Sequence, residues 1–106
     1  MNKDVKVIND RLQPRFKRVS QTRYWLQVAD DHYGQTYNFF FNYQRKWQRL
    51  KSIPLHTITT YDLAYLETVV SELQTLTKLT IDYVGFTDQV WPERQQLIQK
   101  KRHGYE

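Results

Sequence analysis

Arg23, Trp25 and Gln27 lie two residues apart, as do Asn38, Phe40, Asn42 and Gln44. Side chains two apart share one face of a β-strand. If both runs are strands, one surface shows two aromatic rings among cations and amides, with Lys46 added if the second strand continues. Such a surface suits nucleic acid: rings stack on bases, amides read base edges, and Arg or Lys holds phosphate. Arg15, Lys17, Arg18, Arg45 and Arg49 would widen the footprint. The interface residues expected from the sequence are therefore Arg15, Lys17, Arg18, Arg23, Trp25, Phe40, Arg45, Lys46 and Arg49. Trp, Tyr, Phe and Arg also dominate protein interfaces, so a protein partner or a homodimer is a second reading of the same face. A third reading is structural, with Trp25 and Phe40 covered by a terminal helix and paired across strands.

Other chemistry is thinly represented. His32, His56 and His103 are far apart in sequence, none at i, i+4 from another, and there is no cysteine. A metal site would need three distant loops to converge, so none is expected and the three histidines read as exposed and unrelated. Asp30 and Asp31 are adjacent and read as turn formers. No G-x-S-x-G occurs, and Ser20, Ser52 and Ser71 have no evident base partner. Three glycines make no phosphate-cradling loop. No catalytic set and no small-molecule cofactor is evident. One enzyme class survives, a small basic endoribonuclease, in which Arg102, His103 and Tyr105 would act with Arg45 or Lys46. The aromatic pattern of RNA-recognition motifs, the GXXG of KH domains and zinc-finger spacing are all absent.

Charge supports a polyanion partner. The chain has 106 residues and a formal charge of +5. Residues 1–53 hold eleven Lys/Arg against four Asp/Glu, while residues 54–106 hold five against seven. No acid occurs from Arg11 to Ala29 or from His32 to Tyr61. A basic half attracts nucleic acid and speeds the encounter; a solvated surface is the plainer account. Absence of cysteine favours a reducing compartment. Residues 1–6 contain no apolar signal region, and no stretch approaches the ~18 apolar residues of a membrane helix. A cytoplasmic protein with no membrane association is the expectation.

The elements that must position these residues are legible as periodicity. Val5, Ile8 and Leu12 make a short amphipathic helix over 4–13, with Asp4 as N-cap and Pro14 as its end. Tyr24, Leu26 and Val28 alternate with Trp25, Gln27 and Ala29. After turn residues 30–35, Tyr37, Phe39, Phe41 and Tyr43 alternate with Asn38, Phe40 and Asn42. This is an antiparallel hairpin whose paired numbers must sum to an odd value. A sum near 65 sets Tyr24 opposite Phe41, Leu26 opposite Phe39, Val28 opposite Tyr37 and Trp25 opposite Phe40. Residues 44–51 fit a strand, a corner or a helical turn equally, and 52–58, with Pro54, reads as a connection. Thr59 and Asp62 resemble a capping box for a helix over 60–76. Its stripe is Leu63, Leu66, Val70 and Leu73, widened by Val69 and Leu76, with Glu67 and Glu72 off it. A short strand over 79–84 ends at Gly85. Residues 88–102 read as a final helix, with Pro92 in its first turn and Gly104 as its cap.

The expected architecture is one small α+β domain over 1–106. It is a two-layer sandwich in which an antiparallel hairpin-based sheet of about three or four strands is packed by the central helix 60–76, with short terminal helices. A third strand drawn from 16–20 fits the pattern. The expected function is a non-enzymatic binding module, a nucleic-acid-binding accessory protein. The alternatives are an interaction domain that dimerises, inhibits or adapts, and the small ribonuclease.

Overall fold

A computed structural model describes residues 2–14 and 21–98 of the chain. In chain order the elements are α1 (Lys3–Leu12), β1 (Thr22–Asp31), β2 (Thr36–Arg45), β3 (Lys51–Ile58), α2 (Leu63–Leu76) and β4 (Ile81–Val84). One mixed sheet runs in the order β3-β2-β1-β4. β1 and β2 are antiparallel, as are β2 and β3, while β4 lies parallel to β1. The helices pack against the sheet, so the α+β two-layer expectation holds. Among the described residues the third strand is β3; residues 16–20, expected to supply one, lie outside the described residues.

Both helices cover the same face. Val5, Ile8 and Leu12 of α1 share one core with Leu66, Val69, Val70 and Leu73 of α2, and with Leu26, Val28, Tyr37, Phe39 and Phe41 of the hairpin. His56 sits opposite Phe39, on that inner face, and its Nε2 lies 2.7 Å from Asp4 Oδ1 on α1. The periodicities of 3.6 and 2 therefore meet in a single apolar layer, where burying a Leu or Phe contributes about 1.5–3 kcal/mol.

The helix caps differ from expectation. Asn2, not Asp4, caps α1: its Oδ1 accepts from the Asp4 and Val5 amides. Asp4 is instead drawn inward, where its carboxylate meets His56 and the Tyr65 hydroxyl. α2 begins after Asp62 rather than Thr59, with no side-chain cap. Glu67 is not off the buried stripe but 3% exposed. Its two oxygens accept the Glu93 and Arg94 amides, both at 2.9 Å, so the helix anchors the chain that follows β4. That chain is not a helix over 88–98. It is a set of turns with an isolated bridge between Val90 and Leu97 and left-handed backbone at Asp88 and Gln95. The reason lies in its composition: Trp91 and Ile98 are buried but every residue between them is exposed, so no i, i+3, i+4 stripe runs through the segment, and Phe86 is buried five residues before Trp91. Residues 99–102 lie outside the described residues.

The hairpin register sums to 67, not 65. Tyr24 faces Tyr43, Leu26 faces Phe41, Val28 faces Phe39, and Trp25 faces Asn42 rather than Phe40. The parity was legible and the slip of two was set by the turn. Asp31 Oδ1 accepts from the Gly34 amide at 3.0 Å, and Gln35 adopts a left-handed φ of 53°. These contacts close a four-residue loop, and loop length fixes register. Residues 52–58, expected as a connection, belong to strand β3. Pro54 argued against a strand, but β3 is an edge, where a missing N–H is tolerated. The pairing slips between Phe39–His56 and Phe40–Pro54, leaving Leu55 as the extra residue of a bulge.

Candidate functional site

The outer face of the sheet carries the residues that parity assigned to it. Trp25, Gln27 and Ala29 of β1 stand with Asn38, Phe40 and Asn42 of β2, and neither helix covers them. A terminal helix over Trp25 and Phe40 is therefore not what the described residues build. Trp25 and Phe40 are half-buried diagonal neighbours, not a facing pair. The amides are already engaged. Asn42 Nδ2 donates to Gln27 Oε1 at 2.6 Å, Ser52 Oγ donates to Asn42 Oδ1 at 2.6 Å, and Thr57 Oγ1 donates to Asn38 Oδ1 at 2.6 Å. Asn42 is 1% exposed. These amides bind three strands together on the outer face.

The strongest concentration of functional groups lies at the open end of the β1–β2 hairpin. Gln21, Thr22, Arg23, Gln44, Arg45, Lys46 and Trp47 line a cavity of about 560 Å³. Three of the expected residues, Arg23, Arg45 and Lys46, thus converge. Arg23 Cζ lies 5.5 Å from the Trp25 ring centre, which joins the cavity to the outer face through a cation–π contact. Arg49 stands exposed just past the β2–β3 turn. Among the described residues, Arg23, Arg45, Lys46 and Arg49 form no ion pair. Phe40 lies further along the face, away from the cavity lining. Arg15, Lys17 and Arg18 lie outside the described residues, as do Arg102, His103 and Tyr105.

Trp47 was missed as a site residue, and it is the most unusual of them. It is 91% exposed, and its φ is 67°. The Gln48 amide donates to the Arg45 carbonyl at 2.9 Å, so Trp47 is the third residue of a four-residue turn, where positive φ ordinarily selects Gly or Asn. A left-handed L-residue costs about 1–2 kcal/mol. Lys46 Nζ stands 5.4 Å from its ring centre. Gln21, across the cavity, is also left-handed, and its carbonyl accepts the Lys46 amide at 2.9 Å. The sequence signal was a Trp inside a charged run, outside any strand or helix period.

Two further polar clusters lie elsewhere. At the turn end of the hairpin, Asp30 is buried on the inner face; Tyr61 donates to its Oδ1 at 2.7 Å and Gln89 Nε2 to its Oδ2 at 3.0 Å. His32 Nδ1 lies 3.4 Å from Asp30 Oδ2, and its Nε2 is 3.0 Å from the Gly85 carbonyl. Of the two aspartates, Asp31 forms the turn as expected, while Asp30 is a core anchor. The hydrogen bond to Asp30, burial and the nearby carboxylates push the Tyr61 hydroxyl up to about 12. Burial, then the Asp30 charge, does the same to Tyr37. In the second cluster, burial alone would raise Asp4, but hydrogen bonds with His56 and Tyr65 and the His56 charge hold it below its usual value. His32 and His56 are thus engaged with carboxylates rather than idle. Among the described residues, no three His, Cys, Asp or Glu side chains gather into a metal-binding group, and no helix is long and apolar enough to cross a membrane.

The chain matches no protein family, no curated protein and no solved structure. The reading of the site rests on its own geometry.

Proposed function

We propose that this chain is a nucleic-acid-binding module, non-enzymatic, whose contact surface is centred on the open end of the β1–β2 hairpin and extends over Trp25. The observation that carries the reading is the exposed Trp47 indole at a cavity lined also by Arg23, Arg45 and Lys46, with no carboxylate among its described lining residues. Cations that form no ion pair among the described residues are available to phosphate, and an indole open to solvent is available to a base. The stretch from His32 to Tyr61, which supplies four of the described lining residues, holds no acid, which favours a positive potential at the cavity.

The test is fluorescence anisotropy of labelled oligonucleotides against the protein over a range of salt. Binding should weaken linearly in log affinity with log salt. Replacing Arg45 and Lys46 together by Ala should reduce that slope by about two, roughly one per lost phosphate contact. Absence of binding at low salt overturns the reading. The exposed Leu50 beside Trp47 favours one alternative, docking of a protein or a second copy on the same turn. Light scattering that shows a dimer disrupted by Trp47→Ala would select it.

A further inference from the structure

We infer that the ligand is single-stranded nucleic acid, held without base-sequence readout, with one unstacked base lying on Trp47. The inference rests on the nucleic-acid reading above and names the form of its ligand.

The first ground is the presentation of Trp47. Nearly all of its indole is open to solvent, and it is held there by a turn whose third position favours a residue with no large side chain. In a duplex each base is already stacked on its neighbours, so a protruding ring gains little from it. An unpaired base offers a free face. Strain retained at an aromatic that stays 91% exposed is the kind of outlier that points to a contact made with something else.

The second ground is the state of the amides. Asn42, Gln27 and Asn38 could have read base edges, but Asn42 is bonded to Gln27 and Ser52, and Asn38 to Thr57. Gln44, in the cavity wall, donates its Nε2 to the Gln48 carbonyl at 3.2 Å. Apart from the Gln21 side chain, what remains accessible at the site is mainly charge and ring surface. Stacking accepts every base, and phosphate carries no sequence information. The cavity, about 560 Å³, is within the size range of small-ligand sites, roughly 300–1,000 Å³, and so accommodates one nucleotide unit. The exposed cations Arg49 and Lys51 continue past it along the β2–β3 turn, which suits a strand longer than one unit. A free nucleoside phosphate has the same ring-and-phosphate chemistry, so the test separates the two.

The probes are labelled oligo(dT), oligo(dA) and a mixed-sequence strand of equal length, a blunt duplex of that sequence, and ATP and UMP as competitors. We expect the three single strands to bind within about threefold of one another and the duplex about tenfold more weakly. Trp47→Ala should weaken single strands by about tenfold, consistent with loss of one stacked base, and leave the duplex affinity unchanged. Circular dichroism should show the variant folded, since the side chain is exposed. Equal affinity for strand and duplex, both indifferent to Trp47, overturns this inference but leaves a phosphate-binding surface standing. A preference above about tenfold for one sequence also overturns it, as does displacement by ATP or UMP at concentrations near the affinity of the strand. Failure of every probe to bind at low salt defeats the parent reading instead.

Discussion

At one end of the β1–β2 hairpin, Arg23, Arg45 and Lys46 line a cavity and form no ion pair among the described residues. At the other, Asp30 is sealed beneath Tyr61 and Gln89, with His32 at its side. The two strands that join these ends are the same, yet the polar groups are treated oppositely. At the turn end each hydrogen-bonding atom of Asp30 meets a partner from another part of the chain, which is how a buried charge is tolerated. At the open end the charges are left to solvent and to whatever approaches. Polar groups satisfied inside the fold contribute to stability; groups left unsatisfied at an exposed, strained turn are available for binding.

Substitutions can break that division. The largest effect is expected at Asp30. Asp30→Ala strands the Tyr61 and Gln89 donors and should cost about 2–4 kcal/mol of stability, read as a lower denaturant midpoint. Nucleic-acid affinity of the folded variant should not change. A midpoint shift of only a few tenths would mean the turn end is no anchor. Next is Gly85, whose φ is 85° and where a Cβ would stand 3.0 Å from the Asp30 carbonyl oxygen. Gly85→Ala should cost about 1–2 kcal/mol by chemical denaturation, from left-handed strain and crowding together. Smaller, and of opposite sign, is Trp47→Gly. It relieves the left-handed strain and should raise stability by about 0.5–1 kcal/mol in thermal or urea unfolding, while weakening binding. A loss of stability in that variant would show that Trp47 packs after all.

The mildest perturbation is alkaline pH. Tyr61 and Tyr37 are both pushed up to about 12, whereas an unfolded tyrosine titrates near ~10. A folded-state value above the unfolded one means their contribution is intact below pH ~10 and is lost as pH rises through about 12. The urea midpoint should therefore fall as pH rises from ~10 to about 12, and Tyr61→Phe should flatten the fall. An unchanged midpoint in the parent protein would break the link between the turn-end hydrogen bonds and stability.

What the sequence revealed was periodicity, and what it concealed was partnership. Val5, Ile8 and Leu12 declared α1, and the alternation from Tyr24 to Tyr43 declared the hairpin and both its faces. Those signals are local, because a buried face must repeat with the element's own period. The register needed the Asp31–Gly34 contact, and β3 needed to be recognised as an edge before Pro54 became acceptable. Glu67 and Asp30 read as surface and turn because their partners, the amides of Glu93 and Arg94 and the Tyr61 hydroxyl, arrive from distant segments. The candidate site was legible in part for the same reason. Strand parity placed Arg23 and Trp25, but the charged run 44–51 has no period, so the turn that presents Trp47 could not be read from it.

The parallel docking of β4 on β1 has a consequence for how the chain comes together. β1, β2 and β3 are successive neighbours, so their contacts close short loops and form readily. β4 reaches β1 only after α2 has crossed from the β3 side of the sheet to the other. During synthesis, β1 is thus a bare edge in every nascent chain that has not yet reached Ile81, with the amides and carbonyls around Leu26 and Val28 open to pairing. A strand that ends up interior to the sheet passes through the ribosome's vicinity as the one most able to pair with a neighbouring chain. For this protein the interval between making β1 and making β4 is the window in which aggregation competes with folding.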